Sequence, residues 1–142
     1  MAELTAVAVQ TVSANGNVLF TDDIGFRGCN RRFVYHRPGT GTVSLRGLPG
    51  CNYTPLSVAF GANIAVPTGG TVGEISLALA VDGEVIGSTE RLFTPAAVDE
   101  YGNVTASAEI LVPCWLPLSF SVVNTSDQDI LVQNASLIIK KA

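Results

Sequence analysis

The chain has 142 residues, enough for one domain with a real core, and only 14% of them are charged, against roughly 25% in an average soluble domain. Its formal net charge of −4 argues against a general nucleic-acid binder, and no nucleic-acid partner is expected. Mean hydropathy is +0.38, yet the most apolar region, 110–123, is interrupted by Pro113 and Pro117 and is shorter than the roughly 20 residues of a spanning helix, so no membrane partner is expected.

The apolar excess is therefore expected in a core and against other subunits. The start, Met1-Ala-Glu-Leu-Thr, has neither a basic n-region nor an apolar h-region, so the chain does not read as a secretory precursor and is expected to be made in a host cytoplasm.

No window shows sustained helical periodicity, and strands declare themselves by alternation. Leu4 to Val12 reads as the first strand, with Leu4, Ala6 and Ala8 on one face and Val7 and Val9 on the other. Asn15-Gly16 reads as a turn and Val18 to Thr21 as a second strand. The stretch 22–53 is less regular, with short strands at Phe33 to Tyr35 and Thr42 to Leu45 around Pro38-Gly39. Leu56 to Val66 alternates most clearly: its even positions are apolar, and its odd ones are Ser57, Ala59, Gly61, Asn63 and Ala65. Ile75 to Val81 follows, joined by Asp82-Gly83 to a strand over Glu84 to Phe93, because a type I′ hairpin turn needs positive φ at both central positions. Asn103 to Val112, Leu116 to Val123 and Asp129 to Lys140 complete the set, and a phase change near Asn134 predicts a β-bulge. About nine or ten strands and no helix predict a single all-β domain over 1–142, a two-sheet antiparallel sandwich of jelly-roll type.

The secondary faces carry the second clue. A solvent-facing strand face is normally charged, but here Ser57, Ala59, Gly61, Asn63 and Ala65, and then Ser76, Ala78 and Ala80, are small and uncharged. Either the chain's own loops cover them or another subunit does, and the second reading makes Val7, Val9, Ala59, Gly61, Asn63 and Ala65 a candidate subunit interface.

Chemistry-bearing residues are scarce. His36 is the sole histidine, expected on a loop surface, and a zinc site would need it plus cysteines that show no C-x-x-C spacing. Cys29 and Cys51 either close the basic segment as a disulfide or stay reduced, and Cys114 is expected free and buried beside Trp115. The acid pairs Asp22/Asp23, Asp99/Glu100 and Asp127/Asp129 read as turn residues rather than calcium ligands. The Asn-x-Ser/Thr triplets at Asn52, Asn103, Asn124 and Asn134 read as chance. The glycine-rich stretches at 38–42 and 67–71 lack the lysine of a phosphate loop. The expectation is no catalytic residues, no metal, no cofactor and no enzyme activity. Arg27, Arg31, Arg32, Arg37 and Arg46 lie in 24–53 with no acid among them, a candidate contact for an acidic partner. Tyr53, Tyr101 and Trp115 are candidates for a sugar-stacking platform.

In layout the chain resembles the trimeric jelly rolls of the tumour-necrosis-factor and C1q-like type. The resemblance is carried by the strands Leu4 to Val12, Leu56 to Val66, Val104 to Val112 and Ile130 to Lys140. It implies first and last strands side by side in one inner sheet, and three subunits about an axis. The Ala/Val/Thr/Gly-rich style is also similar to small virion proteins of tailed phages, which serve as head decorations, head fibres or fibre tips. That likeness implies a structural protein of a capsid or fibre, a homotrimer located on the virion. The alternative is a module binding a glycan or cell-surface receptor through the loops at one end.

Overall fold

A computed structural model describes residues 2–24, 33–50 and 52–142. Among these residues it contains twelve strands, one 3-10 turn and no α-helix. In chain order the strands are β1 (Ala2–Ala6), β2 (Gln10–Val12), β3 (Asp22–Ile24), β4 (Val34–His36), β5 (Val43–Leu45), β6 (Tyr53–Ala65), β7 (Ile75–Val81), β8 (Glu84–Val85), β9 (Arg91–Phe93), β10 (Gly102–Pro113), β11 (Leu118–Asn124) and β12 (Ile130–Lys141). Two antiparallel sheets form. Sheet one runs β10-β6-β12-β1-β3, with β2 also on β12; sheet two runs β4-β5-β11-β7-β8, with β9 also on β7. The first and last strands pair from Ala2↔Ile139 to Ala6↔Ala135, as the resemblance implies.

Alternation explains the layers. Leu56, Val58, Phe60, Ala62 and Ile64 of β6 face inward, as do Leu137 and Ile139 of β12, and they meet Leu77, Leu79, Phe120 and Val122 from sheet two in one buried cluster. Phe20 packs edge-on against Phe60 with ring centroids 6.3 Å apart. The Asp82-Gly83 hairpin forms as expected, with φ of 52° and 80° at the two residues, the left-handed pair that a type I′ turn requires. Asp82 also accepts the Ser119 N–H through Oδ1, which pins the turn to β11. The bulge lies where the phase change put it: the β12/β6 register shifts between Gln133 and Ser136, and Asn134 has φ 54°.

Four expected elements differ. Leu4 to Val12 is two strands, because three residues, 7–9, face only two of β12 between the Ala6↔Ala135 and Gln10↔Val132 pairs. The Asn134 N–H bonds the Val7 carbonyl across this break. Glu84 to Phe93 is also split: residues 86–90 face only 78–79 of β7. The surplus coils into the 3-10 turn at Gly87–Thr89, and the Thr89 hydroxyl accepts the Leu79 N–H at 2.9 Å in place of a ladder carbonyl. Val18 to Thr21 makes only the isolated bridge Phe20↔Thr40, with a second, Asn17↔Val123, just ahead of it. At the start of β11, Leu116 lies exposed in the preceding turn instead of in the strand.

Candidate interaction surfaces

The outer face of sheet one is built from the odd residues of β6 and their cross-strand partners. Register lines them up in rows: Ser107–Ala59–Ile138 and Thr105–Gly61–Ser136 across β10, β6 and β12. The next β1 positions in these rows are Glu3 and Thr5. Ala59 is exposed and Gly61 half-buried, and because neither has a long side chain a shallow furrow runs over them between Thr105, Ser107, Ser136 and Ile138, with Arg91 at its margin. Across β10, β6 and β12 these two rows hold no charge; Glu109 and Lys140 come in together one row further, on either side of Ser57. Asn63 is half-buried in the row below and bonds Asn103. Val7 and Val9 are exposed at the β1–β2 break. Ala65 is different: it has no accessible surface and offers nothing to a partner. On sheet two, Ala78 and Ala80 are also fully buried and Ser76 nearly so. There the chain covers its own small residues: the Ser76 hydroxyl bonds that of Thr125, which in turn donates to Glu90.

A second surface lies at the end of the sandwich where β6 begins and β10 ends. Tyr53 pairs with Pro113 there, and the turn that follows carries Trp115. Trp115 is 64% exposed, and its ring meets that of Tyr53 edge-on at 5.4 Å and 70°. Between this turn and the one after β5 is a cleft of about 610 Å³ lined by Arg46, Gly47, Pro49, Pro113, Trp115 and Pro117. Gly47 makes the closeness of the two turns possible, since a Cβ there would sit 2.8 Å from the Val112 carbonyl oxygen and 2.9 Å from the Cys114 backbone. Arg46 lies over the Tyr35 ring, 5.9 Å from its centroid. Tyr101 precedes β10 at the opposite end, so the three expected platform aromatics divide into a pair and a single ring. Cys114 is free and exposed, which corrects the expectation of a buried thiol: it sits with Trp115 in the turn after β10 and lines the open cleft rather than the core.

His36 is also corrected. Its side chain is fully buried, with Nδ1 2.6 Å from Asp23 Oδ1 and Nε2 2.9 Å from the Thr40 carbonyl. Its ring stands edge-on to Phe20. β4 begins one residue later than expected and runs through His36, so Val34 and His36 share its buried side and Tyr35 faces out, while Phe33 is buried just ahead of it. The histidine thus ties β3 at the rim of sheet one to β4 at the rim of sheet two. Asn124 is likewise structural: fully buried, it donates to the Val12, Ser13 and Gln128 carbonyls, so its place in an Asn-x-Ser triplet is inaccessible.

Arg37 and Arg46 are exposed at opposite ends of the β4–β5 hairpin. Arg27, Arg31 and Arg32, and the Cys29–Cys51 pairing, lie outside the described residues. Among the described residues no group of three or more histidine, cysteine or acidic side chains is placed to hold a metal ion.

No protein-family model and no curated sequence matches the chain. Among solved structures it is similar to the globular domain of the zebrafish complement 1qA protein, at 10% identity over 96% of this chain and 94% of that one, with a TM-score of 0.53. It is also similar to a sugar-binding protein, the EclA C-terminal domain, at 13% identity over 95% and 79% with a TM-score of 0.45. A third is the PRD1 vertex protein P5, at 14% identity over 96% and 93% with a TM-score of 0.43. The fold is a two-sheet jelly roll similar to that of the complement 1qA globular domain, and at these identities the likeness extends to the fold alone.

Proposed function

We propose that the chain is a structural protein that associates with copies of itself through the outer face of sheet one and, as a homotrimer, caps or decorates a capsid or fibre. The observation that carries this reading is the furrow over Ala59 and Gly61. It sits in the middle of a four-strand face, its rows are uncharged from β10 to β12, and Ile138 lines it. Arg91 borders the furrow at the β10 side with its Nε–H already on the Thr105 carbonyl, so a neighbour covering the uncharged rows meets one charge at their margin. Burial of apolar area there contributes about 25 cal/mol per Å² before ordering costs. The number three, and the virion setting, are what the sequence resemblances imply. Arg37 and Arg46, with Arg27, Arg31 and Arg32 of the same basic stretch, are the proposed contact to an acidic surface of the larger assembly.

The test is the mass in solution by light scattering after size exclusion. Three times 14.8 kDa supports the reading. A monomer at all concentrations, together with an Ala59→Arg variant that still joins its particle, overturns it. Reversal of Arg31 and Arg32 to glutamate tests the arginine contact separately, and unchanged particle binding removes that role.

A further inference from the structure

The end cleft combines an open aromatic face, a guanidinium and rigid walls. We propose that it binds a sugar bearing a carboxylate, such as a uronic or sialic acid residue of an anionic glycan. It lies off the face through which self-association is proposed, so that reading and this one can fail separately; the cleft shares Arg46 alone with the proposed arginine contact, which the Arg31 and Arg32 reversal tests without touching the cleft.

Four observations point to this ligand class. The Trp115 indole is largely exposed and is supported from one side by the edge-on Tyr53 ring, which leaves a broad flat surface for the C–H face of a pyranose. Among the described residues Arg46 is the one charged side chain lining the cleft. Its planar fork of N–H donors matches a carboxylate in a bidentate way, and among the described residues no carboxylate pairs with it. The walls are prolyl rings at Pro49, Pro113 and Pro117, closed by the Gly47 contact, so little chain entropy is lost when a ligand enters. The volume, about 610 Å³, lies within the range of small-ligand sites, roughly 300–1,000 Å³. A peptide occupant is disfavoured, because prolines supply no backbone N–H and the flanking strand β5 is already paired on both sides by β4 and β11. A neutral sugar would leave the guanidinium without a charged partner.

The experiment uses the intact protein, in which Trp115 is the sole tryptophan and so reports its own site. Three acidic probes are titrated: a galacturonic acid tetramer, a hyaluronan tetrasaccharide and sialyllactose. Each is compared with a neutral counterpart, the methyl-esterified oligomers and lactose. The expected result is a saturable change in Trp115 emission with at least one acidic probe, at least about tenfold stronger than with its neutral counterpart. By calorimetry, Arg46→Gln then weakens binding about tenfold or more, the loss expected of one charge-assisted contact, and Trp115→Leu abolishes it. Both variants change exposed side chains, and circular dichroism checks that each is folded. No saturable signal with any acidic probe up to millimolar concentrations overturns the proposal. So does equal binding of neutral and acidic probes, or binding unaffected by either variant. A fall in oligomeric mass on Trp115→Leu would make the cleft a contact between subunits and would also overturn it.

Discussion

Two strands of this molecule carry the same signature and meet different fates. β6 and β7 each present an apolar face inward and a row of small residues outward. On β7 that outer row is closed over within the subunit: Ala78 and Ala80 have no accessible surface, with the 3-10 turn and the β11–β12 turn lying at its margin. On β6 the equivalent row remains open from Ser57 to Asn63. Small side chains signal close approach, but they do not say which chain approaches. The difference arises from β7's neighbour: the segment after Gly83 has three more residues than its ladder can pair, and the surplus folds back. β6 is flanked instead by two twelve-residue strands, β10 and β12, with nothing to spare except the bulge.

The sharpest way to break the comparison is a charge in each row. Ala80→Arg places a guanidinium where no solvent reaches, so a loss of several kcal/mol is expected, on the order of 3–5, enough to abolish the cooperative thermal transition of a marginal domain. Ala59→Arg points into the open furrow, and its unfolding free energy should stay within about 1 kcal/mol while the oligomeric mass collapses to that of the monomer. A milder contrast uses glycines. Gly102→Ala would drive a Cβ into the Phe93 ring and should destabilise by about 1–3 kcal/mol in denaturant titration. Gly61→Ala meets nothing closer than 3.7 Å, so stability should move by less than about 0.5 kcal/mol, and only self-association, measured by sedimentation, should weaken. If Gly61→Ala and Ala59→Arg both leave the mass unchanged, the open row has no subunit against it.

Much of the fold was legible because alternation and turn chemistry act locally. β6, β7, β10 and β12 follow from period-two patterning, and Asp82-Gly83 and Asn134 announce their backbone geometry in residue type. What escaped depends on counts between partners. The splits at 7–9 and 86–90 arise because opposing strands differ in length between two paired anchors, which one segment read alone does not reveal. His36 was misplaced by a one-residue shift of a three-residue strand, enough to exchange a loop histidine for a buried one bound to Asp23. The candidate sites were half legible. The small face of β6 was visible in its residues, but its distinction from β7 was not. Trp115 stood out by type, whereas its pairing with Tyr53 and the arrival of Arg46 needed the antiparallel return of β10 on β6.

The pairing of β1 with β12 also sets an order of events. β1 lies between β12 and β3, and β6 lies between β12 and β10, so sheet one has no continuous interior until its last strand arrives. On the ribosome, β6 and β10 can form a ribbon early, but the seat for β1 is made by β12, well over a hundred residues later. Contacts so remote in sequence make for slow closure, expected in milliseconds to seconds for β topologies of this kind. Until then β1 and the inner edge of β6 expose unpaired backbone, the condition in which strands join the wrong neighbour. Assembly through the finished face therefore has to follow the synthesis of β12, and a chain stalled before β12 would be a target for chaperones rather than a building block.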